Sequence, residues 1–326
     1  MEDKWVLVTG GAGFIGSHLV DKLLSSGHRV IVLDDFSSGN VNNVWLHIAN
    51  PNFRLVRGSI LDEHTVEEVV SKASIIYHLA AQIHVDRSIL DPSLTFRVNA
   101  LGTLLVLEAA RKSDIELFVH MSSCEVYGSA QYTPMDEKHP LCPSSPYAAS
   151  KAAADRLAYS YFNTYKLPLV VIRGFNTFGP RQRDKGYAAV IPKFIRNCLT
   201  GKPPVIYGDG KQTRDYTYVT DMTDALYSLL STGKNIHGMT LNVGSGREVE
   251  VIEIARKILE MTNLHIQPVF ASERPSEVRR LVADTSEAKK AIGFSPRVSL
   301  EKGLSELTEW YRRGGYEASR AYVSEE

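Results

Sequence analysis

The 326-residue sequence predicts an α/β fold: a doubly wound parallel sheet with helices on both faces, followed by a smaller C-terminal α/β part. Short β-branched runs alternate with amphipathic stretches through the first half of the chain. The runs are apolar throughout, as strands buried on both faces are. A glycine-rich turn joins the first run to the first amphipathic stretch, where an open sheet of this kind receives ligands.

Strands are expected at residues 5–9, 30–33, 53–57, 75–79 and 117–121, with a sixth at 169–173. The intervening helices, at 14–25, 65–71, 93–112 and 147–165, are each apolar on one side at three- and four-residue spacing. After about Gly174, the turns Gly179-Pro180, Pro203-Pro204 and Gly208-Asp209-Gly210 separate shorter elements. Helices are expected there at 191–199, 221–231, 251–261, 285–292 and 300–313. A soft boundary near 175 divides the chain into 1–175 and 176–326, with room for the two parts to interleave.

Composition narrows the function classes. Lysine plus arginine (37) balance aspartate plus glutamate (37), so no whole-protein field holds nucleic acid or an anionic membrane. Three cysteines, Cys124, Cys142 and Cys198, make an odd set without a CxxC pair, which argues against a zinc cluster or a disulfide framework. His78, His84 and His120 lack metal-ligand spacing, so no metal is expected. The opening MEDKWVLVTGG has neither the basic segment nor the apolar run of a secretory signal, and nothing approaches the ~18 apolar residues of a membrane helix. A soluble cytoplasmic protein is expected.

Two constellations carry chemistry. Thr9-Gly10-Gly11-Ala12-Gly13-Phe14-Ile15-Gly16 follows the first strand and opens the first helix, with glycines at 10, 13 and 16. Missing side chains let backbone approach a pyrophosphate, and the helix N-terminus supplies N–H donors and positive dipole. Asp34, with Asp35 beside it, ends the second strand where a carboxylate accepts hydrogen bonds from an adenosine ribose and repels a 2′-phosphate. NAD is expected over NADP. A turn needing glycine for purely steric reasons is the competing explanation.

Tyr147 and Lys151 lie four residues apart on one helix face. A phenol with pKa near ~10 becomes a base at neutral pH only when a cation stabilises the phenolate, which Lys151 could do; such a pair also occurs as a plain surface pair. The fifth strand ends in Ser122-Ser123-Cys124-Glu125, placing polar groups at the carboxyl edge of the sheet. A carboxylate there costs several kcal/mol unless it is paired or faces a polar pocket, so Glu125 reads as a site residue or a structural salt bridge. Cys124 reads equally as a space-filling buried thiol or as a proton donor.

Together, the cradle, Ser122-Ser123-x-x-Val126-Tyr127-Gly128, Tyr147-x-x-x-Lys151, Arg173-Gly174-Phe175-Asn176, Phe178-Gly179-Pro180-Arg181 and Gly208-Asp209-Gly210-x-x-x-Arg214-Asp215-Tyr216 resemble the extended short-chain dehydrogenase/reductases of the nucleotide-sugar epimerase/dehydratase group, from about residue 4 to 313. The resemblance implies a Rossmann domain holding NAD and a C-terminal part binding a nucleotide diphosphate sugar, UDP-linked by weight of the family. Tyr147 would deprotonate the sugar 4-hydroxyl, Lys151 would hold the nicotinamide ribose and lower the tyrosine pKa, and Ser123 would orient the 4-oxygen. Phe14, Ile15, Ile60, Leu79, Ala80, Ala81, Asn99 and Ser122 match cofactor-lining positions. Ser59 stands where relatives carry an aspartate near the adenine. Asn176, Arg214 and Arg274 match phosphate-gripping positions, and Val190 lies on the substrate side. The resemblance also implies a homodimer built on the helices at 93–112 and 147–165.

Residues 124 and 125 separate the reactions. In 4,6-dehydratases an Asp-Glu pair stands here, so Glu125 aligns with the base at C5 and Cys124 with the acid for the leaving oxygen. The Cys-Glu form resembles the UDP-N-acetylglucosamine 5,6-dehydratases of tunicamycin biosynthesis, and the loop His84-Val85-Asp86-Arg87-Ser88 resembles that of dTDP-glucose 4,6-dehydratases. The resemblance implies a nucleotide-sugar dehydratase, with a UDP-sugar 4-epimerase as the alternative.

Overall fold

The computed structural model describes residues 4–183, 189–274 and 277–315. Its centre is a seven-stranded sheet of β1 (Trp5–Thr9), β2 (Arg29–Asp34), β3 (Phe53–Arg57), β4 (Ala73–His78), β5 (Leu117–Met121), β6 (Leu169–Gly174) and β7 (Thr240–Val243). The order is β7-β6-β5-β4-β1-β2-β3, and every neighbouring pair is parallel. Strand order reverses at β1, so the crevice beyond the carboxyl ends of β1 and β4 is the ligand position of a doubly wound sheet.

Alternation along β1 divides the core. Val6 and Val8 pack on one face with Leu19 and Leu23 of helix Phe14–Ser25, while Trp5 and Leu7 pack on the other with Leu107, Phe118, Ala158 and Tyr161. A separate apolar cluster of Phe178, Phe194, Ile195, Ile206, Ile254, Ile258, Leu304 and Leu307 fills the smaller body beside the sheet. No helix among the described residues is long and apolar enough to cross a membrane.

The six expected strands are present with small shifts at their ends, and the fold is the doubly wound Rossmann type. The seventh was not foreseen: Thr240–Val243 returns from beyond residue 175 to pair with β6. The expected helix over 93–112 is divided into Pro92–Phe96, a π-helical turn over Arg97–Leu101, and Gly102–Arg111. Helix Pro146–Tyr165 begins where Ser145 accepts a hydrogen bond from the Ala148 N–H with proline in the first turn, and it ends as Lys166 turns left-handed at φ 58°. Tyr147, Lys151 and Asp155 share one face of it.

Candidate active site

Beyond the carboxyl edge of the sheet lies a cavity of about 530 Å³, reaching from the glycine turn past β5 to the smaller body. That volume suits a small-molecule ligand of some size. Gly10 has φ +71°, and a Cβ there would stand 2.8 Å from the Ala80 nitrogen; a Cβ on Gly16 would stand 2.2 Å from the Gly10 carbonyl oxygen. The cradle therefore excludes side chains and presents bare backbone to the cavity. Gly10, Gly13, Phe14, Ile15 and Gly16 line it, as do Asp34, Asp35, Ile60, Leu79, Ala80 and Ala81.

Asp34 is buried and accepts the N–H groups of Ala12 (2.9 Å) and Phe36 (2.8 Å). Burial raises its pKa, opposed by those two bonds. Two expected cofactor residues stand differently. Ser59 turns its hydroxyl to the Leu61 N–H (3.2 Å) while its neighbours Gly58 and Ile60 face the cavity. Asn99 is buried behind the wall: its carboxamide oxygen accepts the Gln82 N–H at 2.7 Å, and its nitrogen donates to the Gln82 carbonyl and Ser150 Oγ, both at 2.9 Å. The π-helical turn carries Asn99 to that position, where it holds the Gln82 backbone next to Ala80 and Ala81.

At the middle of the cavity, Ser122, Ser123, Cys124, Glu125, Tyr147 and Lys151 converge. The Tyr147 and Ser123 side chains are hydrogen-bonded to each other. Lys151 is buried and donates to the Met121 carbonyl at 2.6 Å. Burial lowers its pKa to about 8, against the raising effect of Asp155. In the protein without NAD, Tyr147 stands above its ordinary value, because burial dominates and the Ser123 bond only partly opposes it, with Glu125 and Cys124 adding to the rise.

Glu125 is half-buried, and its pKa is raised by burial, with Arg214 opposing and Glu277 adding. Cys124 is 3% exposed; burial and then Glu125 hold its thiol well above the ordinary range, so it stays protonated at neutral pH. It sits on an apolar cluster with Val126, Tyr127, Phe175 and Val278 and still reaches the cavity wall.

The substrate-side residues His84, Asn176, Val190, Arg214 and Arg274 all line the cavity. Asn176 Oδ1 is buried without a protein partner, an acceptor available to a ligand. Arg214 donates to Glu277 Oε1 (2.6 Å) and to the carbonyls of Val278 and Thr213. The Arg274 guanidinium stacks 4.0 Å over the Tyr207 ring. Glu277 and Asp155 escaped the sequence reading, as did the pairing of Asp155 behind the site with Arg173, which the sequence offered only as part of a motif. The signal for the pair was legible, because an arginine ending the apolar strand Leu169–Gly174 needs a buried counter-charge.

The sequence model of the family described as GDP-mannose 4,6 dehydratase matches residues 7–307. The chain belongs to this family of extended short-chain dehydrogenase/reductases. Relatives of two activities are among those it resembles. The dTDP-glucose 4,6-dehydratase of Streptomyces niveus is 40% identical over 94% of this chain and 92% of its own length. The UDP-glucose 4-epimerase of Thermotoga maritima, solved with UDP-glucose, superposes with a TM-score of 0.89 at 36% identity, covering 95% of this chain and 99% of the other. The dTDP-glucose 4,6-dehydratase DesIV of Streptomyces venezuelae, solved with NAD bound, gives 0.91 at 34% identity, covering 97% and 99%. These relatives act on nucleotide sugars, and the residues around Ser123 are where their two reactions differ in what they require.

Proposed function

We propose that this family member is an NAD-dependent nucleotide-sugar dehydratase, acting on UDP-N-acetylglucosamine. The observation that carries the reading is Glu125: a carboxylate with a burial-raised pKa, on the cavity wall two residues beyond the serine that is bonded to Tyr147. Epimerisation at C4 has no use for a base there.

The glycine cradle and Asp34 fit NAD, whose adenosine ribose would meet the Asp34 carboxylate and whose pyrophosphate would meet the backbone of Gly13 to Gly16. When bound, NAD supplies a hydride acceptor for C4, a positive ring beside Tyr147, and the hydride returned at the end. Tyr147 takes the proton of the 4-hydroxyl, and Ser123 orients the 4-oxygen. Lys151 holds the nicotinamide ribose. Once C4 is a ketone, the proton on C5 is acidic and Glu125 removes it. The C6–O bond breaks as the C5–C6 double bond forms, with the Cys124 thiol hydrogen-bonded to the departing oxygen. The C5 proton would pass from Glu125 to the departing hydroxyl, which leaves as one water. A 5,6-ene would result if the hydride returned to C4 while Tyr147 gave its proton back to the 4-oxygen, and a 4-keto-6-deoxy sugar if it returned to C6 with the proton taken from the 4-hydroxyl ending on C5. Asn176, Arg214 and Arg274 hold the diphosphate, and His84 and Val190 face the sugar.

The second reading is a UDP-sugar 4-epimerase, which uses Ser123, Tyr147 and Lys151 alone; the similarity to the Thermotoga maritima enzyme favours it. Glu125→Gln separates the two. A dehydratase loses elimination in this variant while C4 oxidation persists as NADH absorbance, whereas an epimerase keeps its turnover.

A further inference from the structure

The end of β5 is fastened to helix Pro146–Tyr165 at three consecutive residues. The Met121 carbonyl accepts from Lys151 Nζ (2.6 Å), Ser122 Oγ donates to Asp155 Oδ2 (2.8 Å), and Ser123 is hydrogen-bonded to Tyr147. The helix partners Tyr147, Lys151 and Asp155 are spaced four residues apart, so the three strand residues are held by three turns of one helix face. Two of these contacts belong to the proposed chemistry. The third, at Asp155, does not touch the reacting atoms.

Asp155 is itself fixed from β6. Arg173 donates to it through Nε (2.9 Å, to Oδ2) and Nη2 (3.0 Å, to Oδ1), while Arg173 Nη1 donates to the Tyr127 hydroxyl (2.9 Å) and the Glu137 carbonyl (3.1 Å). Arg156, from the rim, also donates to Asp155 Oδ1. The Asp155 and Arg173 side chains are 0% and 3% exposed. A two-pronged buried pair of this kind has a defined geometry.

We infer that Asp155 is a positioning residue for C4 oxidation: through Ser122 it sets where Ser123 meets Tyr147, and through its charge it holds Lys151 as an ammonium. The inference rests on the reading that Tyr147 and Lys151 carry that step. The charged and titratable groups facing Lys151 are Asp155 on its own helix, with Arg173 behind it on β6, His78 on β4, His120 on β5 and Tyr147 one turn earlier. Without NAD, burial holds both histidines and the phenol neutral at pH 7, so in the lysine titration Asp155 is the anion acting on the amine. Lys151 then titrates at about 8 with Asp155 in place, and at lower pH without it.

Asp155→Asn keeps an acceptor for Ser122 and removes the charge. NMR of the protein carrying 13C-labelled lysine, with the Lys151 signal assigned by Lys151→Arg, reads the coupling without substrate or cofactor. The expected result is a Lys151 midpoint moved to lower pH, and an unchanged midpoint overturns the charge role. Ser122→Ala leaves the ion pair intact and tests alignment: kcat falls about tenfold or more with KM and the thermal midpoint close to wild type, and Ser122→Thr restores it. A Ser122→Ala enzyme with wild-type kcat overturns the positioning role, also where Asp155→Asn fails to fold. Absence of turnover in the wild-type protein with every nucleotide sugar defeats the functional reading instead, and the lysine titration still decides the coupling.

Discussion

At the scale of single residues, burial sets the chemistry. Glu125 lies between a desolvated wall that raises its pKa and Arg214, which opposes. A base works ionised, so water loss is expected to fall as pH drops through a value above the ordinary 4.5 of glutamate. A kcat profile that stays flat down to that ordinary value contradicts the assignment. Cys124 lies on the neutral side of its titration, so in the proposed reaction it would donate a hydrogen bond to the leaving oxygen. Cys124→Ala is expected to slow water loss by about tenfold, on the order of one hydrogen bond of ~1.4 kcal/mol, with C4 oxidation intact. Single-turnover kinetics that follow the two steps separately check this. Most of these residues were legible in the sequence, because a glycine spacing, an acid at a strand end and polar groups at a sheet edge are chemical signals in themselves. Asn99 and Ser59 were not, since which way a side chain turns depends on a π-helical turn and a loop hydrogen bond.

Among the elements, β6 and helix Pro146–Tyr165 carry a charge pair through the middle of the core. Arg173→Ala leaves Asp155 charged and buried, and is expected to cost about 3–5 kcal/mol, read as a lower urea midpoint with an unchanged slope. A loss below about 1 kcal/mol shows the pair to be dispensable. The glycine cradle behaves differently: Gly16→Ala drives a methyl into the Gly10 carbonyl. NAD binding by calorimetry is expected to disappear in that variant, and wild-type affinity contradicts the cradle assignment. The six expected strands were readable because each is a compact apolar run beside a helix of clear periodicity. β7 was not, because Thr240-Leu241-Asn242-Val243 is four residues long and half polar, and Thr240 pairs with Val171 of β6, 69 residues earlier in the chain.

Across the whole molecule, helices at the expected dimer face leave large apolar side chains exposed: Phe96, Leu101, Tyr159 and Tyr165. A monomer exposing them bears an unusual load for a folded surface, and we propose a homodimer with these helices paired as a four-helix bundle. Leu101→Glu is expected to shift the protein from dimer to monomer in sedimentation experiments; a wild-type protein already monomeric at micromolar concentration contradicts the assembly. The balanced net charge fits the proposed small anionic ligand, since Asn176, Arg214 and Arg274 line the cavity and no whole-molecule field is needed to hold it.

The most direct test of dehydration is the mass of the product formed from UDP-N-acetylglucosamine by the purified protein with NAD. The account predicts a product lighter by one water, absent with Glu125→Gln. An unchanged mass with inverted stereochemistry at C4, or no water loss from any UDP-hexose, would contradict it.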